Sequence, residues 1–158
     1  MPVDVRMEII IQRELSEVAA YAADPRRAPE WYTIVDEIEW EDDAQLEVGT
    51  KVAFVSHQSR RKQSYLFEVS EYVPEARLVM RATGGSYPME TTYTWEAYDQ
   101  GSTKMTLRNR GEPTGLLALI APLLAPAMRR SIRIDLQRLK RLLERGQANN
   151  TRLTTDRT

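Results

Sequence analysis

Hydrophobic and polar side chains alternate along most of the first 110 residues. In the segment 3–12 every second residue from Val3 to Ile11 is apolar, and most residues between them are charged or polar. Successive side chains of a strand point to opposite faces, so this pattern predicts a half-buried strand. The same period of two predicts six further strands, at 34–41, 51–59, 63–73, 77–83, 89–97 and 103–110. Short strands separated by turn signals are typical of an antiparallel sheet.

Two short helices are predicted between the first and second strands. Ser16 is a candidate N-cap, and the apolar positions that follow it form one side of a helix. Asp24 precedes Pro25 and should end this helix, because the residue before a proline is disfavoured in the helical region. A second helical turn is expected over 26–30.

The last predicted element is a long helix. Residues 115–128 carry no charge, and Pro122 and Pro126 within them predict a kink or a break. From there an apolar stripe repeats every three or four residues, at Met128, Ile132, Leu136, Leu139 and Leu143, which predicts a helix with one buried face. Gly146 is a natural end for it. We therefore predict one domain over 1–146 and a disordered tail over 147–158.

Five local strings occur in this order of elements. They are EVAAYAADPRRAPEWY at 17–32, VGT at 48–50, VSEYVPEARLVMR at 69–81, DQGSTKMTL at 99–107 and LQRLKRLLE at 136–144. Together they resemble the START/Bet v 1-like (SRPBCC) superfamily, in particular its polyketide cyclase/dehydrase and lipid-transport branch. The resemblance covers roughly residues 3–145.

The resemblance implies an α+β helix-grip fold. A seven-stranded antiparallel sheet would wrap around the long C-terminal helix, with two short helices between strands 1 and 2 and a cavity between sheet and helix. Members bind hydrophobic or amphipathic small molecules, and some catalyse cyclisation or dehydration there. Because a fold hosts many activities, it does not decide between these functions.

Composition excludes several other classes. The chain has no cysteine, so disulfides, thiol catalysis and cysteine metal sites are absent. It has one histidine, so a site with several histidines is excluded, and we expect no metal and no cofactor. The net charge of −1 at pH 7 gives no general attraction to nucleic acid, which we do not expect as a partner. No uncharged run is long enough to span a bilayer, so a cytoplasmic protein is expected.

The ligand-binding residues are expected on the apolar faces of the strands and of the C-terminal helix. A small hydrophobic molecule would contact Trp31, Tyr65, Phe67, Met89, Tyr93, Trp95, Met105, Leu107, Leu124, Met128 and Ile132. The alternative for the aromatic members of this set is that they only fill the core.

Catalytic residues are less well indicated. The resemblance implies that polar groups such as tyrosine hydroxyls can steer a reactive polyketide, as in some family cyclases, which makes Tyr65 and Tyr93 weak candidates. His57 is a weak candidate for a general base. The pattern does not decide whether His57, Arg81 and Arg108 point inward. No pair of carboxylates is placed for acid–base work, which favours a binding module over a cyclase/dehydrase.

The segment 115–128 and the basic helix after it leave three functions open. The segment could be part of the core, a movable lid over the cavity hinged at Pro122 or Pro126, or a site of transient membrane-surface contact with Arg129, Arg130 and Arg133. The basic helix could also make the protein an interaction module. The sequence allows a monomer or a homodimer.

Overall fold

The computed structural model describes residues 2–40, 45–58, 60–82 and 87–155. The strands are β1 (Val3–Ile11), β2 (Glu37–Glu39), β3 (Lys51–Gln58), β4 (Arg61–Val73), β5 (Arg77–Ala82), β6 (Met89–Asp99) and β7 (Ser102–Gly111). The helices are α1 (Leu15–Ala23), α2 (Ala28–Trp31) and α3 (Leu116–Thr155), with a single 3-10 turn (Pro25–Arg27) between α1 and α2. The predicted order of one strand, two short helices, six strands and a long helix is confirmed.

The seven strands form one antiparallel sheet in the order β1-β7-β6-β5-β4-β3-β2. The chain therefore runs as a meander from β2 to β7, and β1 closes the far edge by pairing with β7 from Val3 opposite Gly111 to Ile11 opposite Thr103. Residues directly opposite each other in a pair share a face. The alternation of each strand thus combines into one apolar inner face, on which the core is built.

The helix α3 lies across this inner face and packs against β1 and α2. Its predicted stripe is the side that meets the sheet: Ile132, Leu136, Leu139 and Leu143 are buried, and Met128 is half-buried against the core. In proteins most of the stability of a helix comes from packing of its apolar face, so burial of this stripe is the main stabilising contribution to α3. This is the helix-grip arrangement that the resemblance implied.

Polar contacts fasten the helix to the end of β1. The Arg13 Nε atom donates to the carbonyl of Leu143 at 2.9 Å, and Lys140 Nζ donates to the carbonyl of Ile10 at 2.6 Å. Glu144 accepts from the Gln12 backbone N–H at 3.0 Å and from Lys140 at 2.7 Å. These bonds fix the position of α3 along the sheet.

Some local predictions were wrong. The helix α1 begins one residue before Ser16, with Glu14 at the N-cap, because the Glu14 carbonyl already accepts from the backbone of Glu17 and Val18. Among the described residues the second strand covers Glu37–Glu39, which are the ones that pair with β3. The predicted strand end at Glu41 lies outside the described residues.

The long helix also differs from its prediction. It is not split at Pro122 or Pro126, which both lie inside α3. Both prolines are exposed, so the carbonyl groups that lose a helical donor can be hydrated. The helix passes Gly146 and is described to Thr155. Residues 156–158 lie outside the described residues, and the domain boundary at 146 stays a prediction.

The packing of α3 predicts different costs for two neighbouring leucines. Leu139 is 0% exposed, whereas Leu142 on the outer side is 39% exposed. We expect Leu139→Ala to lower the free energy of unfolding by about 2–5 kcal/mol, because it leaves a cavity beneath the helix. Leu142→Ala is the matched control and should cost less than about 1 kcal/mol. Urea unfolding of both variants measures this, and equal losses would contradict the packing described.

Candidate ligand-binding site

A cavity of about 290 Å³ lies on the inner face of the sheet, against strands β3 to β7. The segment 32–35, which follows α2, forms part of its wall. The cavity is lined by Tyr32, Ile34, Val35, Phe54, Ser56, Tyr65, Phe67, Met80, Met89, Thr91, Tyr93 and Asn109. None of these lining residues in the described part of the chain carries a formal charge at neutral pH.

Strand register places the lining side chains on one face. Phe54 pairs with Tyr65, Met80 pairs with Thr91, and Thr91 pairs in turn with Asn109. Each pair brings two inward side chains together across neighbouring strands. The lining is therefore a continuous patch on five adjacent strands, β3 to β7.

An aromatic cluster forms the end of the cavity next to the core. The Trp31 and Tyr32 rings stack with their centroids 4.0 Å apart, and the Tyr93 ring lies 6.1 Å from Trp31 and 6.0 Å from Trp95. Only the two tyrosines of this cluster line the cavity. The tryptophans lie behind them as a rigid support.

Hydroxyl groups are the main polar feature of the cavity wall. The hydroxyls of Tyr32 and Tyr93 are hydrogen-bonded to each other, and either could be the donor. Such a pair uses one of its two hydrogens, so the other remains able to donate to a ligand. The Ser56 hydroxyl is buried and has no hydrogen-bond partner among the described residues. Thr91 donates to Asn109 Oδ1 at 2.7 Å, a bond that does not use the two donors of the Asn109 amide nitrogen.

Burial sets the protonation state of the two tyrosines. It raises the pKa of Tyr93, and it raises the pKa of Tyr32 well above the ordinary value, in both cases as the largest cause. The nearby Asp135 carboxyl acts in the same direction on both. At neutral pH both hydroxyls therefore stay protonated, so they can donate hydrogen bonds but are poor bases.

Asp135 of α3 holds the segment that carries Tyr32. The side chain is buried, with the residue 2% exposed, and its Oδ1 accepts from the Thr33 backbone N–H at 3.1 Å and from the Thr33 hydroxyl at 2.9 Å. Burial raises the pKa of Asp135, and the two Thr33 bonds and the charge of Arg138 oppose this rise. The carboxyl thus positions the cavity wall from behind.

The predicted contact residues divide into two groups. Tyr65, Phe67, Met89 and Tyr93 line the cavity. The others do not: Trp31, Trp95, Met105, Leu107 and Ile132 are buried in the core, and Leu124 and Met128 are half-buried against it. The two groups share the apolar inner face of the sheet. Where other side chains pack on this face its residues belong to the core, and where they do not its residues line the cavity.

The polar candidates also differ in position. The Tyr65 hydroxyl donates to Gln63 Oε1 at 2.6 Å in an exposed bond. His57 lies on the strand face opposite Phe54 and Ser56, with its Nε2 atom 3.5 Å from the Glu37 carboxylate. Arg81 and Arg108 point outward too, because Arg81 pairs with Glu90 at 3.0 Å and Arg108 with Asp4 at 2.8 Å.

Several cavity residues were not among the predicted ones. Ser56 shares its strand face with Val52 and Phe54, so the alternation of β3 could have indicated it. Asp135 had a clearer signal. It is three residues after Ile132 and four before Leu139, which places an acid beside the buried stripe of a basic helix.

Two findings restrict the chemistry of the described residues. Within 2–40, 45–58, 60–82 and 87–155, no group of three or more His, Asp or Glu side chains is placed to hold a metal ion. In the same ranges no helix is long and apolar enough to span a bilayer.

The sequence matches the family model described as polyketide cyclase / dehydrase and lipid transport over residues 2–144. The chain belongs to this family. A comparison with curated proteins found no match. The family assignment agrees with the helix-grip fold.

Solved structures share the fold at low sequence identity. TTHA0849 from Thermus thermophilus is 21% identical with a TM-score of 0.71, over 87% of this chain and 94% of that one. The Zhui aromatase/cyclase from Streptomyces sp. R1128 is 14% identical with a TM-score of 0.76, over 92% and 95%. SA2116 from Staphylococcus aureus, a protein of unknown function, is 14% identical with a TM-score of 0.75, over 94% and 97%.

The raised pKa of Asp135 predicts a pH-dependent stability. The fold favours the neutral carboxyl, so its contribution is fully present below the unfolded pKa of about 3.9 and is lost as the pH rises through the folded value. Asp135→Asn keeps an oxygen that can accept both Thr33 bonds but cannot ionise. We expect the free energy of unfolding of this variant, relative to the unchanged protein, to rise from acid to neutral pH. The same dependence of this free energy on pH in both proteins, measured by urea unfolding, would contradict this.

Proposed function

We propose that the protein binds a small hydrophobic or amphipathic molecule, lipid- or polyketide-like, in the cavity between the sheet and the segment 32–35. The observation that supports this is the lining. Apolar and aromatic walls carry the hydroxyls of Tyr32, Tyr93 and Ser56, with no charged side chain among the described lining residues. Apolar pockets with a few directed polar groups are typical of small-molecule sites.

The size of the cavity favours a compact ligand. At about 290 Å³ it is close to the lower end of the roughly 300–1,000 Å³ that small-molecule pockets span. The spare hydrogen of the tyrosine pair and the Ser56 hydroxyl would select a ligand with carbonyl or hydroxyl oxygens. A bicyclic ketone is a reasonable stand-in for such a ligand.

A cytoplasmic location stays a prediction.

The second candidate is a cyclase/dehydrase that uses the same cavity. It is favoured by the family to which the chain belongs and by the protonated tyrosine pair, which could donate to the oxygen of an enolate. Against it, no carboxylate, histidine or lysine is among the described residues that line the cavity. These lining residues therefore offer no general base. We therefore rank binding without chemistry first.

Ser56 gives a direct test of the cavity. Ser56→Leu should fill space next to Phe54 and remove an unpartnered hydroxyl, so it should weaken binding of an apolar fluorescent probe by about tenfold or more without destabilising the fold. Ser64→Leu, the same change on the exposed face of β4, is the matched control and should leave binding unchanged. Equal binding by both variants would contradict the proposed site.

The tyrosine pair can be tested with two matched ligands. The double variant Tyr32→Phe/Tyr93→Phe removes both hydroxyls together, so neither is left buried without its partner. We expect it to bind 1-tetralone about three- to tenfold more weakly and to bind tetralin, which lacks the carbonyl, as the unchanged protein does. Calorimetric titration measures both affinities. An equal loss for both ligands would indicate damage to the cavity rather than loss of hydrogen bonds.

Three measurements distinguish a binding module, an enzyme and an interaction module. They are native mass spectrometry of the purified protein with extraction of bound molecules, an assay of conversion, and thermal shifts. A co-purifying small molecule supports binding. Conversion of an added poly-β-ketone to a cyclised product, lost in the double tyrosine variant, would support the enzyme. No bound molecule, together with no thermal shift across a panel of lipids and polyketides, would leave an interaction module that acts through α3.

A further inference from the structure

The outer side of α3 has a division of chemistry that ligand binding does not explain. At about 100° per residue, positions spaced by three and four residues follow one face of a helix. Along this outer face the first two turns are apolar, with Leu116, Leu119, Ile120 and Leu123. The later turns carry Arg130, Arg138 and Arg141, with Arg133 at the flank of the face and the exposed Ile134 between them. We call these the apolar half and the cationic half.

The apolar half is unusually exposed for its composition. Leu116 is 83% exposed, Leu119 77% and Leu123 73%, and Ile120 is also exposed. The same segment rests on the core through Ala121, Leu124 and Ala125 on its other side. The segment 115–128 is therefore docked on its inner side, and four large apolar side chains on the outer side are left in contact with water.

The cationic half follows directly along the same face. Every exposed charged residue between 129 and 141 is basic, and the acid within this range, Asp135, is buried against Thr33. None of the four arginines forms a salt bridge with another residue of the described part. Arg138 lies near the buried Asp135 carboxyl, and the charges of Arg130, Arg133 and Arg141 are available for an anionic partner.

We propose that the outer face of α3 docks on the surface of a lipid bilayer that contains anionic headgroups. The apolar half would enter the boundary between headgroups and acyl chains, and the cationic half would lie over the headgroup phosphates and carboxylates. Binding of this kind combines buried apolar area with attraction to anionic lipid, which accounts for both halves at once. A contact with a second copy through the leucines alone would account for the apolar half only.

The composition of the apolar half favours a bilayer over a protein partner. Residues 115–128 contain no side-chain nitrogen or oxygen atom. Protein interfaces carry about one hydrogen bond per 100–200 Å² within a polar rim, whereas acyl chains need none. The uncharged run at the start of the helix therefore matches acyl chains better than a protein interface.

Vesicle co-sedimentation of the full chain tests the proposal. We expect binding to phosphatidylcholine vesicles that contain phosphatidylserine, weaker binding to phosphatidylcholine alone, and a decrease with added salt. Leu119→Gln/Leu123→Gln should lower the partition coefficient between vesicles and water by about tenfold or more. Arg130→Gln/Arg141→Gln should lower it about fivefold per arginine on anionic vesicles only.

The matched control places the same polar change on exposed apolar residues elsewhere. Val48→Gln/Leu66→Gln should leave partitioning unchanged, and unfolding curves of all three variants check that they fold. Failure of the unchanged protein to bind anionic vesicles overturns the proposal, as does an equal loss in the control. Light scattering identifies the alternative occupant: a dimer that becomes monomeric in the leucine variant, without vesicle binding, would make this face a contact between copies.

Discussion

The structure depends on the contact between the apolar stripe of α3 and the inner face of the sheet. A seven-stranded sheet with one apolar face needs a cover, and a 40-residue helix needs a partner for its stripe. Burial of Leu136 and Leu139 satisfies both requirements. The bonds of Arg13, Lys140 and Glu144 then set where along the sheet the cover lies. The helix does not seal the whole face, and the remaining space is the cavity.

The cavity joins rigid walls to a small number of hydroxyls. Its strands are held in register by antiparallel pairing from β3 to β7, and its aromatic end is backed by two buried tryptophans. Because burial keeps the tyrosines protonated, the site presents hydrogen-bond donors within apolar surroundings. This combination suits recognition of an oxygen-bearing apolar molecule more directly than it suits proton abstraction.

The sequence was most informative where a period runs through a whole element. Alternation along β1 and β4 to β7, and the stripe of α3, predicted the sheet, the helix and their contact, because burial of a complete face enforces such patterns. Short-range features were less well determined. The strand β2 pairs over three residues, and the start of α1 uses a backbone carbonyl where Ser16 offered a side chain. Trp95 and Met105 could not be told from lining residues such as Met89, because the same face continues from core to cavity. The Tyr32–Tyr93 and Thr33–Asp135 bonds join distant segments, which no local pattern reports.

The bond between Thr33 and Asp135 spans 102 positions of the chain. A ribosome makes the chain from its N-terminus, so Tyr32 and the rest of that wall emerge long before the carboxyl that holds them. The strand β1 likewise has no pairing partner until β7 has been synthesised. The bond that fixes the cavity wall at 32–35 can therefore form only after α3 has been synthesised as far as Asp135.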